Sequence, residues 1–150
     1  MTHQIPNEDI SWLKSKIHNI EPLSIDEEKE LFHLISQGNK KAKDKLVEAN
    51  MKFVISVAKE YSYAHLSTSD LVAEGTIGLI RAIQSFDYTR GLKFITYAVW
   101  WIRAYITRAV NEQGNLVRLP ANQNLKLRQS LRNNREGNPL TEEIQKLLQL

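Results

Sequence analysis

From Ile10 to Ala109 the apolar residues recur at steps of three and four, and no stretch of useful length alternates apolar with polar. That period gathers apolar side chains into one stripe of an α-helix and would scatter them over both faces of a strand. The expected fold is therefore all-α, a multi-helix bundle. Ile10, Leu13, Ile17 and Ile20 mark a weak first helix near residues 8–20, closed by Pro22. Ser24-Ile25-Asp26-Glu27 is a capping box, in which the hydroxyl serves the third helical N–H and the Glu reaches back. Asp26, Glu27, Glu28 and Glu30 suit the positive end of the helix dipole. Leu31, Leu34 and Ile35 form that helix's apolar face, and Gly38 is its C-cap.

A third helix is expected from about Lys40 to Tyr61, with Leu46, Val47, Phe53, Val54 and Val57 as core candidates. After a polar loop over 62–69, Thr68 or Ser69 caps a fourth helix that ends near Phe86. Residues 87–91 read as a turn, and a fifth helix runs from about Phe94 to Glu112, stopped by Gly114. Pro120 opens a sixth segment, and Thr141 starts a last helix beyond Gly137-Asn138-Pro139. The terminal Leu147-Leu148-Gln149-Leu150 carries no cap, as expected of a piece of a longer chain.

The absence of cysteine excludes a disulfide scaffold, a thiolate zinc site and a cysteine nucleophile. No apolar run approaches the ~20 residues of a membrane span, and the N-terminus lacks a secretory pattern, so a cytoplasmic protein with no membrane contact is expected. His3, His18, His33 and His65 show no metal-ligand spacing. Asp70 and Glu74 lie one turn apart and could share a metal, although such pairs are far more often surface residues. No Gly-rich loop precedes a Lys at phosphate-binding spacing. Neither catalysis, metal nor cofactor is expected. The net charge of +3 is unevenly spread: residues 1–85 carry 10 Lys/Arg against 12 Asp/Glu, and residues 86–150 carry 10 against 5. A basic, Arg-rich half points towards nucleic acid.

On a helical wheel, Ile95, Ala98, Val99, Ile102, Ile106 and Ala109 make a complete core face for the fifth helix. The other side collects Tyr97, Trp100, Trp101, Ala104, Thr107 and Arg108, flanked by Arg103. Two explanations compete. The helix is buried all round, with its tryptophans under neighbouring helices. Alternatively the second face is a stacking platform for unpaired bases, each stacked base contributing ~1–3 kcal/mol. Adjacent Trp100 and Trp101 fan out by ~100°, and Arg90, Lys93, Arg103, Arg108 and Arg118 surround the face, which favours the platform. On the fourth helix, Leu71, Val72, Gly75, Gly78, Leu79, Ala82 and Phe86 make the core face. Two mid-helix glycines cost roughly 1 kcal/mol each and make sense where another helix comes very close. Its other face holds Asp70, Ala73, Glu74, Ile77, Arg81 and Gln84, either a solvated face with one stray Ile or a docking patch.

These residues carry a specific resemblance. The string from Asp70 to Leu79, then Phe86-Asp87-Tyr88-Thr89-Arg90-Gly91, then Lys93 to Arg103 with its Tyr97-Ala98-Val99-Trp100-Trp101-Ile102-Arg103, closely resembles the central region of bacterial primary-type sigma factors. The likeness extends back through 48–59 and 20–38 and forward through Arg118-Leu119-Pro120. It implies N-terminal helices of region 1.2 type over 1–38, a region 2 bundle over 39–114, and the start of a region 3 domain over 115–150, with no counterpart of the C-terminal domain that reads the −35 element. It implies a transcription initiation factor that docks on core RNA polymerase and captures the non-template strand of the −10 promoter element by base flipping and stacking, without ATP or metal.

The resemblance also assigns residues. Tyr97 stacks on a flipped base, in a pocket lined by Phe86, Asp87, Arg90 and Lys93, with Phe94 and Thr96 beside it. Trp100 and Trp101 wedge at the upstream fork. Arg103, Thr107, Arg108 and Arg118 face the duplex, and Asn50 lies near a second flipped base. Asp70, Ala73, Glu74, Thr76, Ile77 and Arg81 form the surface for the coiled coil of the largest polymerase subunit. An anti-sigma factor is a further partner of the family. Ala73, Thr76, Leu92, Ala104, Asn122 and Leu125 depart from common family residues, which implies a promoter preference of this chain's own. Two other readings stay open: a sigma-like competitor for polymerase, and a helical single-strand binder with no polymerase partner.

Overall fold

Side-chain caps set most of the helix starts. The computed structural model describes residues 10–62 and 64–113, and these form five helices: α1 (Ser11–Ile17), α2 (Ile25–Ser36), α3 (Lys40–Lys59), α4 (Thr68–Ser85) and α5 (Phe94–Gln113). One 3-10 turn, Tyr88–Arg90, joins α4 to α5. No strand occurs among the described residues, so the all-α expectation holds. The segments expected from Pro120 and Thr141, with Arg118, Asn122 and Leu125, lie outside the described residues.

Ser24 caps α2 by accepting the Glu27 amide at 3.2 Å. Its hydroxyl also donates to Glu27 Oε1, so the Glu closes the box on the side chain rather than on the backbone. Asn39 caps α3 by accepting the Ala42 amide at 3.1 Å. The cap of α4 is Ser67, whose hydroxyl accepts the Asp70 amide at 3.0 Å; the expected Thr68 and Ser69 are already inside the helix. A cap must keep an extended backbone while its oxygen reaches the third helical N–H, and only Ser67 does so, with ψ 153°. Leu66 and Leu71, both buried, take the staple positions on either side of this cap. Gly38 (φ 86°) and Gly91 (φ 70°) end α2 and the 3-10 turn in the left-handed region, where a Cβ would be strained.

Helices α4 and α5 make the most extensive contact, α3 lies against α4, and α2 packs on α3. The glycines of α4 explain how close α5 comes. A Cβ on Gly78 would sit 2.5 Å from the Trp101 carbonyl oxygen and 2.9 Å from Ile102 Cα. A Cβ on Gly75 would meet side-chain ends, Val54 Cγ1 at 2.9 Å and Ile106 Cδ1 at 3.2 Å. The backbones of α4 and α5 therefore touch at Gly78, as the mid-helix glycines suggested.

One hydrophobic core spans the whole described chain, from Ile10 and Ile17 through Leu46, Val54 and Leu79 to Ile102 and Ile106. Two lysines tie the α1–α2 connection to it. Lys52 Nζ donates to the His18 carbonyl at 2.9 Å and the Ile20 carbonyl at 3.0 Å. Lys93 Nζ donates to the Leu23 carbonyl at 3.0 Å. On α2 the expected face shifts: Phe32 is buried while Leu34 and Ile35 are only partly so. The reason is aromatic packing, because the Phe32 ring lies 5.1 Å from Phe86, 5.2 Å from Phe94 and 5.9 Å from a parallel Tyr88.

Candidate nucleic-acid and docking surfaces

The second face of α5 divides. Trp101 is 1% exposed, and Ala104 and Thr107 are buried with it. For these three the buried-all-round explanation is the right one: α4 lies against Trp101, Tyr61 meets Thr107, and the open face the wheel suggested does not extend to them. Thr107 donates its hydroxyl to the Tyr61 hydroxyl at 3.3 Å. Burial pushes the Tyr61 phenol above its ordinary pKa. The Arg81 guanidinium of α4 stands 5.2 Å over the Trp101 ring, a cation–π distance. Asn50 is also inside, donating to the Leu46 carbonyl of its own helix at 2.8 Å, and Phe94 is fully buried.

What remains accessible near the start of α5 includes a narrower stripe. Thr96 is exposed, and Tyr97, Trp100 and Arg103 are partly so. Thr96, Trp100 and Arg103 follow at steps of four and three and so share one face, with Tyr97 beside them. The Tyr97 ring leans on Phe86, centroids 5.3 Å apart, and Phe86 meets Phe94 at 5.2 Å. Tyr97 is thus the outermost ring of a cluster rooted in Phe32. The cluster holds the ring from one side, and Tyr97 stays partly exposed, as a residue that stacks on a base requires.

The cations around this stripe are of two kinds. Arg90 and Lys93 are exposed near the start of α5. Asp87 holds the turn by accepting the Thr89 amide at 3.0 Å and the Thr89 hydroxyl at 2.5 Å, with Arg90 at 3.4 Å. The Thr89 hydrogen bonds, helped by the Arg90 charge, keep the Asp87 carboxyl below its ordinary pKa. Arg103 and Arg108 are already paired, with Glu60 at 3.6 Å and Glu112 at 3.0 Å. Such partly exposed pairs contribute little, so a phosphate could replace either carboxylate at small cost.

On α4, Asp70, Ala73 and Ile77 are exposed, with Glu74 and Arg81 partly so on the same face. Ile77 is 48% exposed, an apolar residue ringed by charges. Thr76 stands apart from this set. Its hydroxyl donates back to the Val72 carbonyl at 2.7 Å and lies 3.7 Å from Met51 Sδ, so it turns towards α3.

The residue that the sequence reading underrated is Glu28. It is 4% exposed, and its Oε2 accepts the Phe94 amide at 3.1 Å. A signal existed: Leu92-Lys93 ahead of α5 offers no capping side chain, so the cap had to come from elsewhere. Among the described residues no cluster of three His, Cys, Asp or Glu could hold a metal, and no helix is long and apolar enough to cross a membrane.

Comparison with known proteins supplies the frame for this geometry. Residues 46–115 match the family model for sigma-70 region 2. The RNA polymerase sigma factor SigA of Bacillus sp. is 42% identical over 114 residues, which cover 76% of this chain and 30% of that protein. The chain thus spans less than a third of the length of the relative it matches.

Proposed function

We propose, from the match of residues 46–115 to the sigma-70 region 2 model, that this chain works in transcription initiation as a sigma-type module. It docks on core RNA polymerase through α4 and holds the non-template strand of the −10 element on α5. The observation that carries the reading is the pair of unlike surfaces on two helices in contact. One is an aromatic stripe, Tyr97 and Trp100, bordered by Arg90, Lys93 and Arg103; the other is the Asp70, Ala73, Glu74, Ile77 and Arg81 face. Stacking and pocket contacts recover the few kcal/mol that unstacking a base costs, so melting needs no cofactor. Trp101, Thr107, Asn50 and Phe94 support this from inside: Trp101 packs at the α4–α5 contact, Thr107 bonds Tyr61 beyond the end of α3, Asn50 bonds within α3, and Phe94 backs Phe86, on which Tyr97 leans.

Co-elution of the purified chain with core RNA polymerase at moderate salt tests the docking half. A mixed peak is the expected result. A folded chain that elutes alone removes the polymerase role and leaves single-strand binding to be tested by itself. If the chain co-elutes, lowers transcription by a full-length factor and starts none, it acts as a competitor on the same surface.

A further inference from the structure

Helix α5 begins without any of the local devices that start the other long helices. The residues directly ahead of Phe94, Leu92 and Lys93, include no Ser, Thr, Asp or Asn, and the first turn carries no acidic residue. Its first N–H groups are therefore orphans at the positive end of a 20-residue helix. The Glu28 carboxylate takes one of them, the Phe94 amide, from 66 residues away in sequence. Glu28 is available for this because α2 is already capped by Ser24 and Glu27. Lys93, next in line, donates to the Leu23 carbonyl just ahead of α2, so the two elements are joined twice at this point.

We propose that Glu28 is a positioning residue for the single-strand surface: it serves in trans as the N-terminal cap of α5 and so fixes where that helix begins. This rests on the reading of α5 given above. Tyr97 lies three residues on, one turn from Phe94, and the Phe94 ring holds Phe86, on which Tyr97 leans. A helix that started one residue later would release the Phe94 ring and with it the Phe86 ring on which Tyr97 leans. The strand-binding ring is thus set by a carboxylate on another helix, α2.

The test uses the full chain and two readouts: hydrogen exchange of the Phe94 amide, and affinity for a −10-like single-stranded oligonucleotide. In Glu28→Ala the Phe94 amide exchanges about tenfold faster or more, and affinity falls about three- to tenfold. Glu28→Gln, which keeps an acceptor oxygen, restores both to near the parent. Polymerase co-elution stays unchanged in both, because the α4 face is untouched. If the Ala variant does not fold, Glu28→Asp keeps the charge, withdraws the oxygens by one methylene, and gives the same two losses. Faster exchange with unchanged affinity overturns the positioning role, and unchanged exchange overturns the cap itself. A parent chain that does not bind the oligonucleotide counts against the proposed function instead, while the exchange result still decides the cap.

Discussion

Tyr97 and Trp101 are four residues apart on one helix, yet their surroundings differ completely. Tyr97 is the outer ring of an aromatic cluster and keeps an accessible edge. Trp101 is sealed beneath Arg81, and its indole N–H finds no partner among the described residues. Replacing Tyr97 with Ala is expected to weaken single-strand binding by ~1–3 kcal/mol, the worth of one stacked base, with the thermal midpoint little changed. Fluorescence titration with a −10-like oligonucleotide checks this; unchanged affinity would take Tyr97 out of the binding surface. Glu28 gives a second prediction at this scale. Burial pushes its carboxyl above the ordinary 4.5, against the Phe94 amide and the Lys93 charge, which pull the other way. The folded chain therefore binds that proton more readily than the unfolded chain. Ionised Glu28 costs stability as pH rises through its folded pKa, and the cost is absent below the unfolded value. Glu28→Gln should then be at least as stable as the parent at pH 7, with the gap closing below about pH 4.5. Denaturant midpoints at the two pH values measure it, and a large loss in the Gln variant at pH 7 would show that the charge itself is needed.

At the scale of elements, the α4–α5 contact is limited by backbone, and the α3–α4 contact by side chains. Gly78→Ala puts a methyl group against the Trp101 carbonyl, which cannot withdraw without moving α5. A loss of about 1–3 kcal/mol or more is expected. Gly75→Ala meets side chains only, Val54 Cγ1, Ile106 Cδ1 and Ile102 Cγ2, which give way more readily than a backbone, and Ala gains roughly 1 kcal/mol of helix propensity. The Gly78 variant should therefore unfold well below the Gly75 variant in a thermal scan. Equal midpoints would show that the two helices are not in backbone contact. The caps belong to this scale too. Three long helices start with a Ser or Asn of their own, and α5 alone borrows its cap from α2.

Across the whole molecule, the charged α4 face proposed for docking and the α5 stripe belong to different helices in one continuous core. Charge reversal on one should leave the other intact. Glu74→Lys is expected to weaken co-elution with core polymerase while leaving oligonucleotide affinity unchanged. A parallel loss of both would mean that the two surfaces are one. Strand binding should also fall steeply with salt, because Arg90, Lys93, Arg103 and Arg108 would neutralise phosphates and release the counterions condensed on the strand.

The helices themselves were legible in the sequence. Period, caps and glycines are local, so α2 to α5, the Gly78 contact and the core face of α4 could be read from residues a few positions apart. The aromatic stripe with its cations was legible for the same reason, as a pattern on one helix. What covers a face is not local. The wheel could not tell that Trp101, Ala104 and Thr107 are buried while Tyr97 and Trp100 reach the surface, because a wheel carries no neighbours. Nor could it pair Glu28 with Phe94: four acids at the start of α2 look alike until the chain returns, 66 residues later, with an uncapped helix end that needs one of them. Only the tertiary structure brings that orphan N–H to a buried carboxylate.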